Sequence, residues 1–190
     1  MNSFDQPTLL THIATLTGGS LTEGKAWHSD KVDLPYQGSK ITADYYTLWS
    51  GKYSQIFTRI VSEVKAVENF ALSICSQNLF SKIEKLFGGQ DVETGKSDFD
   101  KAFMIKSNNE FKVKTLLQNA NLQKMLLKQK NLNLDLSKSN GIWISKLNTG
   151  ISELSIYVEE EIKEVDKLKD LLDLFQLIMS ELKARNIIME

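Results

Sequence analysis

Two runs of alternating side chains, Ser39 to Trp49 and Tyr53 to Val64, constrain this chain more than any other feature. Ile41, Ala43 and Tyr45 recur at every second position of the first run, and Ile56, Thr58, Ile60 and Val64 share one face of the second. A period of two is the strand period; a helix repeats its faces every 3.6 residues. Ser50-Gly51 between the runs is a turn signal, so the pair reads as an antiparallel hairpin. β-Branched and aromatic residues dominate from Leu21 to Cys75, as a half-buried pleated surface prefers.

Around the hairpin the spacing changes several times. Leu9, Leu10, Ile13 and Leu16 have helical spacing, stopped by Gly18-Gly19. Trp27 to Leu34 reads as a strand ended by Pro35, and Phe70 to Cys75 as a further strand. Asn78 is placed to cap a helix carrying Leu79, Phe80, Ile83, Leu86 and Phe87 on one face, and Gly88-Gly89 ends it. Asp91 to Gly95 is a loop or short strand. Ser97 and Asp100 have capping-box spacing, with Asp in place of Glu, and Phe99 and Phe103 would stack on one side of a single turn. Ala102 to Lys106 is a short strand.

Ser107-Asn108-Asn109-Glu110 is a cleaner capping box, opening a helix with Val113, Leu116 and Leu117 inward; Asn119 caps a second one with Leu122, Met125 and Leu126 inward. Leu132, Leu134 and Leu136 alternate with polar residues. Asn140-Gly141 is a hairpin signal, Ile142 and Ile144 begin a return strand, and Leu154, Ile156 and Val158 form a third, so the stretch reads as a three-stranded meander. Last comes a single apolar stripe, Val165, Leu168, Leu171, Leu172, Phe175, Ile178, Met179 and Leu182, with Lys167, Lys169, Asp170 and Asp173 opposite. A helix of about 20 residues spans roughly 30 Å, enough to lie along an antiparallel sheet.

Together these elements specify an α+β fold: antiparallel strands from hairpins and a meander, covered by a long C-terminal helix and several short ones. Residues 1–190 are expected to form one domain, with 88–95 as the candidate internal boundary.

Composition narrows the function classes. The net charge is −1 and the cations are almost all lysine, since Arg59 and Arg185 are the only arginines. Nucleic-acid binding is therefore not expected, because it calls for a basic excess and for the bidentate donors arginine supplies. Cys75 is alone, so no intrachain disulfide forms, and its apolar neighbours Phe70 to Ile74 mark a buried, inert thiol. The first basic residue is Lys25 and no apolar run approaches a bilayer-spanning length; the expected address is the cytoplasm, with no transmembrane segment.

No nucleophile elbow, P-loop or dinucleotide fingerprint is present. His12 and His28 are the only histidines; His28 and Asp30 share a strand face and read as solvent-exposed, so no metal site and no cofactor are expected. Asp98 and Asp100 are the closest approach to a catalytic carboxylate pair, and capping accounts for them better. Glu159-Glu160-Glu161 and Glu164 suit the N-terminal end of the last helix. Tyr45, Tyr46, Trp49 and Tyr53 cluster about the hairpin, as cross-strand pairs or as a binding patch.

From Val92 to Ile105 the chain resembles a pattern that recurs in a family of uncharacterised bacterial proteins. The acidic-Phe-acidic step Asp98-Phe99-Asp100 is followed by Phe103 and a short apolar strand, then a polar turn and a helix with the pair Leu116-Leu117. A second short helix, a few strands and a long final helix, here Asp166 to Arg185, complete the pattern, and Thr58-Arg59-Ile60 matches it more loosely. The resemblance implies the fold and brings no activity with it. In some relatives the domain follows membrane-spanning helices; no such helices are seen here, so a membrane-surface role is not favoured.

The leading expectation is a non-catalytic cytoplasmic domain that binds a protein partner or another chain of itself. A hydrolase-like enzyme using Asp98, Asp100 or His28, and a membrane-peripheral domain, are the alternatives.

Overall fold

The structure is a computed structural model, and it describes residues 8–25, 29–50, 52–79, 90–138 and 147–189. His28, the helix expected beyond Leu79, the Asn140-Gly141 turn and the strand begun by Ile142 and Ile144 lie outside the described residues. The fold is α+β: one antiparallel sheet with helices packed on it.

In chain order, helix α1 (Leu9–Thr17) precedes β1 (Ser20–Thr22), β2 (Lys31–Tyr36), β3 (Ser39–Ser50), β4 (Tyr53–Ala66) and, after a single 3₁₀ turn at Val67–Asn69, β5 (Leu72–Ser76). Then come β6 (Gln90–Asp91), α2 (Ser97–Ala102), β7 (Phe103–Ser107), α3 (Glu110–Leu116), α4 (Ala120–Lys128), β8 (Leu132–Ser137), β9 (Ser152–Val158), α5 (Val165–Ala184) and β10 (Ile188–Met189). The strand order is β1-β2-β3-β4-β9-β8-β5-β7-β6, with β10 paired to the far end of β4.

Strand register explains the core. Val32, Ala43, Ile60, Ile156, Leu134, Ile74 and Ile105 are successive cross-strand partners from β2 to β7, and all are buried. This apolar row lies under the helices. Leu171, Phe175 and Ile178 of α5 and Leu10 and Ile13 of α1 belong to the same cluster. Tyr36, on the same face, fixes α5 through a hydroxyl contact of 2.8 Å with Ser180 Oγ. The α5 stripe is core from Leu168 to Leu182, as its spacing predicts, while Lys167, Lys169, Asp170 and Asp173 face water.

Several local expectations are corrected. Pro35 does not end its strand. Gln37 and Gly38, at φ 46° and 77°, form a two-residue turn of the mirror-image type, which makes Tyr36 and Ser39 the hydrogen-bonded pair. The Pro35 nitrogen therefore points away from β3, beyond the end of β1, where no ladder bond is needed. β8 and β9 pair directly with each other, with β5 and β4 as their outer neighbours, so no return strand lies between them as a meander would require.

The helix starts also differ. Lys96, not Ser97, is the N-cap of α2, and Asn109, not Ser107, caps α3 by accepting from Lys112 N at 3.0 Å. Ser107 ends β7 instead, donating to the Ala71 carbonyl at 2.6 Å. Phe99 and Phe103 do meet, with ring centroids 5.0 Å apart and planes tilted by 43°, but across the α2–β7 junction and not within one helical turn. Leu16 is 66% exposed and leaves the α1 stripe, whose buried members are Leu10, Ile13 and Ala14.

Candidate functional site

The β3–β4 hairpin is longer than the sheet that holds it. β2 accompanies β3 only as far as Asp44, and β9 accompanies β4 only from Thr58 onward. The Ser29 hydroxyl replaces a strand partner at Tyr45, accepting from its N–H at 3.3 Å and donating to its carbonyl at 2.6 Å. Beyond that point Tyr46–Ser50 and Tyr53–Phe57 pair only with each other among the described strands. Five residues of extended chain reach about 17 Å, so the ribbon projects by that length past β9.

The four aromatic residues expected to cluster here are divided by the pleat. Cross-strand register puts Tyr45 and Trp49 on the face that carries Ala43 and Ile60, and Tyr46 and Tyr53 on the other. At the root they are structural. Tyr45 Oη donates to the Ile162 carbonyl at 2.6 Å, and burial, helped by Glu161, pushes its phenol up to about 12. The Tyr46 ring lies under the Arg59 guanidinium, 5.4 Å from its centroid. At the tip Trp49 is 73% and Tyr53 82% exposed, on opposite faces of the ribbon. Between Tyr46 and Phe57 the sequence carries no proline and one charge, Lys52. Edge strands usually carry charges, prolines or bulges that discourage pairing with another chain; here Lys52 lies between the strands, and Tyr46–Ser50 and Tyr53–Phe57 of the ribbon carry neither charge nor proline.

The carboxylate pair is separated by use. Asp100 Oδ1 accepts from Thr94 N at 2.9 Å and Thr94 Oγ1 at 2.7 Å, and its Oδ2 accepts from Gly95 N at 3.0 Å. Burial acts to raise the Asp100 pKa, but the bonds from Thr94, Gly95 and Lys96 outweigh it and hold it below the ordinary value. Asp98 stands exposed on the first turn of α2. Among the described residues, clefts of about 560 and 360 Å³ open beside Asn78, Lys101 and Lys130 and beside Asp30, Tyr45 and Glu161 respectively, and neither is lined by Asp98 or Asp100. Among the described residues no group of three or more His, Cys, Asp or Glu side chains is placed to hold a metal ion.

Little in the sequence announces the polar face behind the core. Asp44, Arg59, Tyr157, Asn133 and Cys75 are successive partners from β3 to β5, and Thr42, Val61, Ser155, Asp135, Ser73 and Lys106 form the next row. The polar positions of β8 alternate with its leucines, yet all six of its residues are buried. Arg59 Nε donates to Asp44 Oδ1 at 2.7 Å and Nη2 to Oδ2 at 2.5 Å, a bidentate pair. Burial opposes the charge on Arg59, but the bonds to Asp44 and Tyr157 hold its pKa above the ordinary value. Burial raises Tyr157 and Glu153, and pushes Cys75 up to about 12 with a contribution from Asp135. Asp135 is pushed up to about 7, again chiefly by burial. The one signal available in sequence was Arg59 itself, one of two arginines, set in the middle of an alternating run.

No family model and no curated protein matches the chain. Among solved structures it is similar to the mycobacterial trehalose monomycolate transport factor A, TtfA, with a TM-score of 0.55 and 8% identity over 90% of each chain. At that identity the likeness concerns the fold.

Proposed function

We propose that the chain is a non-catalytic accessory domain, acting in the cytoplasm as a single folded unit, that docks a protein partner or a second copy of itself through the tip of the β3–β4 ribbon. The observation that carries this reading is the pair Trp49 and Tyr53, exposed on opposite faces of a ribbon whose edges, from Thr47 on β3 and up to Phe57 on β4, have no strand partner among the described residues. Exposed tryptophan and tyrosine are the side chains that most often dominate binding energy. The free edges offer backbone N–H and C=O groups to an added strand, and a flat surface would cover only one of the two aromatics. The favoured partner therefore receives the tip in a cleft or extends the ribbon with a strand of its own. The similar structure is named for a transport factor, a kind of accessory role in keeping with this reading.

Photo-crosslinking tests it. A photoreactive phenylalanine analogue is placed at position 49 or 53, and at Phe111, a 79% exposed residue of α3, as control. A discrete protein adduct, or a dimer of the chain, formed from 49 and 53 but not from 111 supports the proposal. Absence of any adduct from 49 and 53 in cells that express the chain overturns it.

A further inference from the structure

Asn133 and Asp135 lie two residues apart on β8, so both side chains stand on the polar face of the sheet. Asn133 Nδ2 donates to Asp135 Oδ2. The second oxygen of each, Asn133 Oδ1 and Asp135 Oδ1, is buried and has no hydrogen-bond partner among the described residues. Both are acceptors when Asp135 is ionised, so neither can satisfy the other. A carboxylic acid and a primary amide that already share one N–H···O bond close a ring when the second carboxyl oxygen carries a proton and donates it to the amide oxygen. One proton thereby satisfies both bare atoms.

We propose that Asp135 is a neutral acid in the folded protein, with its proton on Oδ1 donated to Asn133 Oδ1. The proton comes from solvent as the chain folds and returns there on unfolding, and the docking ribbon plays no part in the argument.

The surroundings favour the neutral form. Burial is the largest influence and favours the acid, outweighing the bonds from the Ser73 hydroxyl of β5 and the Asn133 amide, which favour the carboxylate; the neighbouring Cys75 thiol stays protonated. From β9 come Glu153, whose negative charge opposes a second one on Asp135, and Tyr157, whose phenol is neutral. Of the cations on this face, Arg59 on β4 is held by Asp44 of β3, with Glu63 also on β4, and Lys106 on β7 lies 3.9 Å from Asp91. The resulting Asp135 pKa of about 7 lies well above the ordinary aspartate value of 3.8. The unfolded chain therefore loses this proton first as pH rises. Stability is highest below the ordinary value, falls as pH climbs from there towards 7, and levels off once the folded form has ionised too.

The deciding measurement is a carbon-detected NMR titration of the side-chain carboxyls of the folded wild-type chain, with the Asp135 signal assigned by its loss in Asp135→Asn. A midpoint near 7 supports the proposal; a midpoint near the ordinary 3.8 overturns it, and a bound water or cation then satisfies the two oxygens. Asp135→Asn keeps both bonds of the ring, since an amide N–H can replace the acid O–H, and it does not titrate. Between about pH 4 and pH 7 the wild-type folded-to-unfolded ratio is expected to fall on the order of a few hundredfold relative to this variant. Parallel profiles for the two chains would contradict it. Should the variant not fold, the carboxyl whose midpoint is near 7 is assigned in the wild-type chain by through-bond correlation to its own backbone.

Discussion

Replacing Arg59 by methionine removes one half of the buried pair at the root of the ribbon and leaves the Asp44 carboxylate without its cation. Side-chain exposures of 23% for Arg59 and 10% for Asp44 place the pair in a poorly solvated site. Breaking a fully buried ion pair from one side costs about 3–5 kcal/mol, and the residual exposure brings the expectation here to about 2–4 kcal/mol. Loss of the guanidinium over Tyr46 contributes about 0.5–1 kcal/mol of that. The double variant Asp44→Asn/Arg59→Met no longer buries a lone charge, so it should recover most of the loss and lie within about 1 kcal/mol of wild type. Urea denaturation at neutral pH reads both values, and unchanged m-values show that the same surface is being exposed. The reasoning is wrong if Arg59→Met lies within about 0.5 kcal/mol of wild type, or if the double variant is as unstable as the single one.

Phe175→Ala, in the middle of the α5 stripe and fully buried, should cost about 3–5 kcal/mol in the same assay. Gly18 closes α1 in the left-handed region at φ 68° with open space where a Cβ would stand, so Gly18→Ala should cost only the backbone strain, about 1 kcal/mol. The Cys75 thiol, buried and raised to about 12, should resist a disulfide reagent in the native protein at neutral pH and react once the chain is unfolded in urea. Trp49→Ser and Tyr53→Ser should each leave stability within about 0.5 kcal/mol of wild type, because neither side chain is packed; a larger loss would show that the tip serves the fold.

What could be read from the sequence was local. The α5 stripe, the glycine stop after α1 and the Ser39–Val64 hairpin rest on spacing within one element, and spacing survives whatever the element packs against. Position within the sheet is a different matter. Alternation along Leu132–Ser137 announces two faces and does not say that the polar one is wet; that depends on β5 and β9, distant in sequence, which flank it. Ser107 matched a cap pattern, but the Ala71 carbonyl across the ladder claimed its hydroxyl. The aromatic residues of the hairpin were visible as a group, while their division into root and tip follows from where β2 and β9 stop, a length set by other strands.

The ribbon's freedom is the premise of the docking proposal, and amide hydrogen exchange of the isolated chain tests it most directly. Amides of Tyr46–Phe57 that point to the free edges should exchange far faster than those of Thr58–Val64, which β9 covers, and should slow when the cross-linked partner is bound. Equal, strong protection of both segments in the isolated monomer would mean that the ribbon is already covered, and the account of its function would fall.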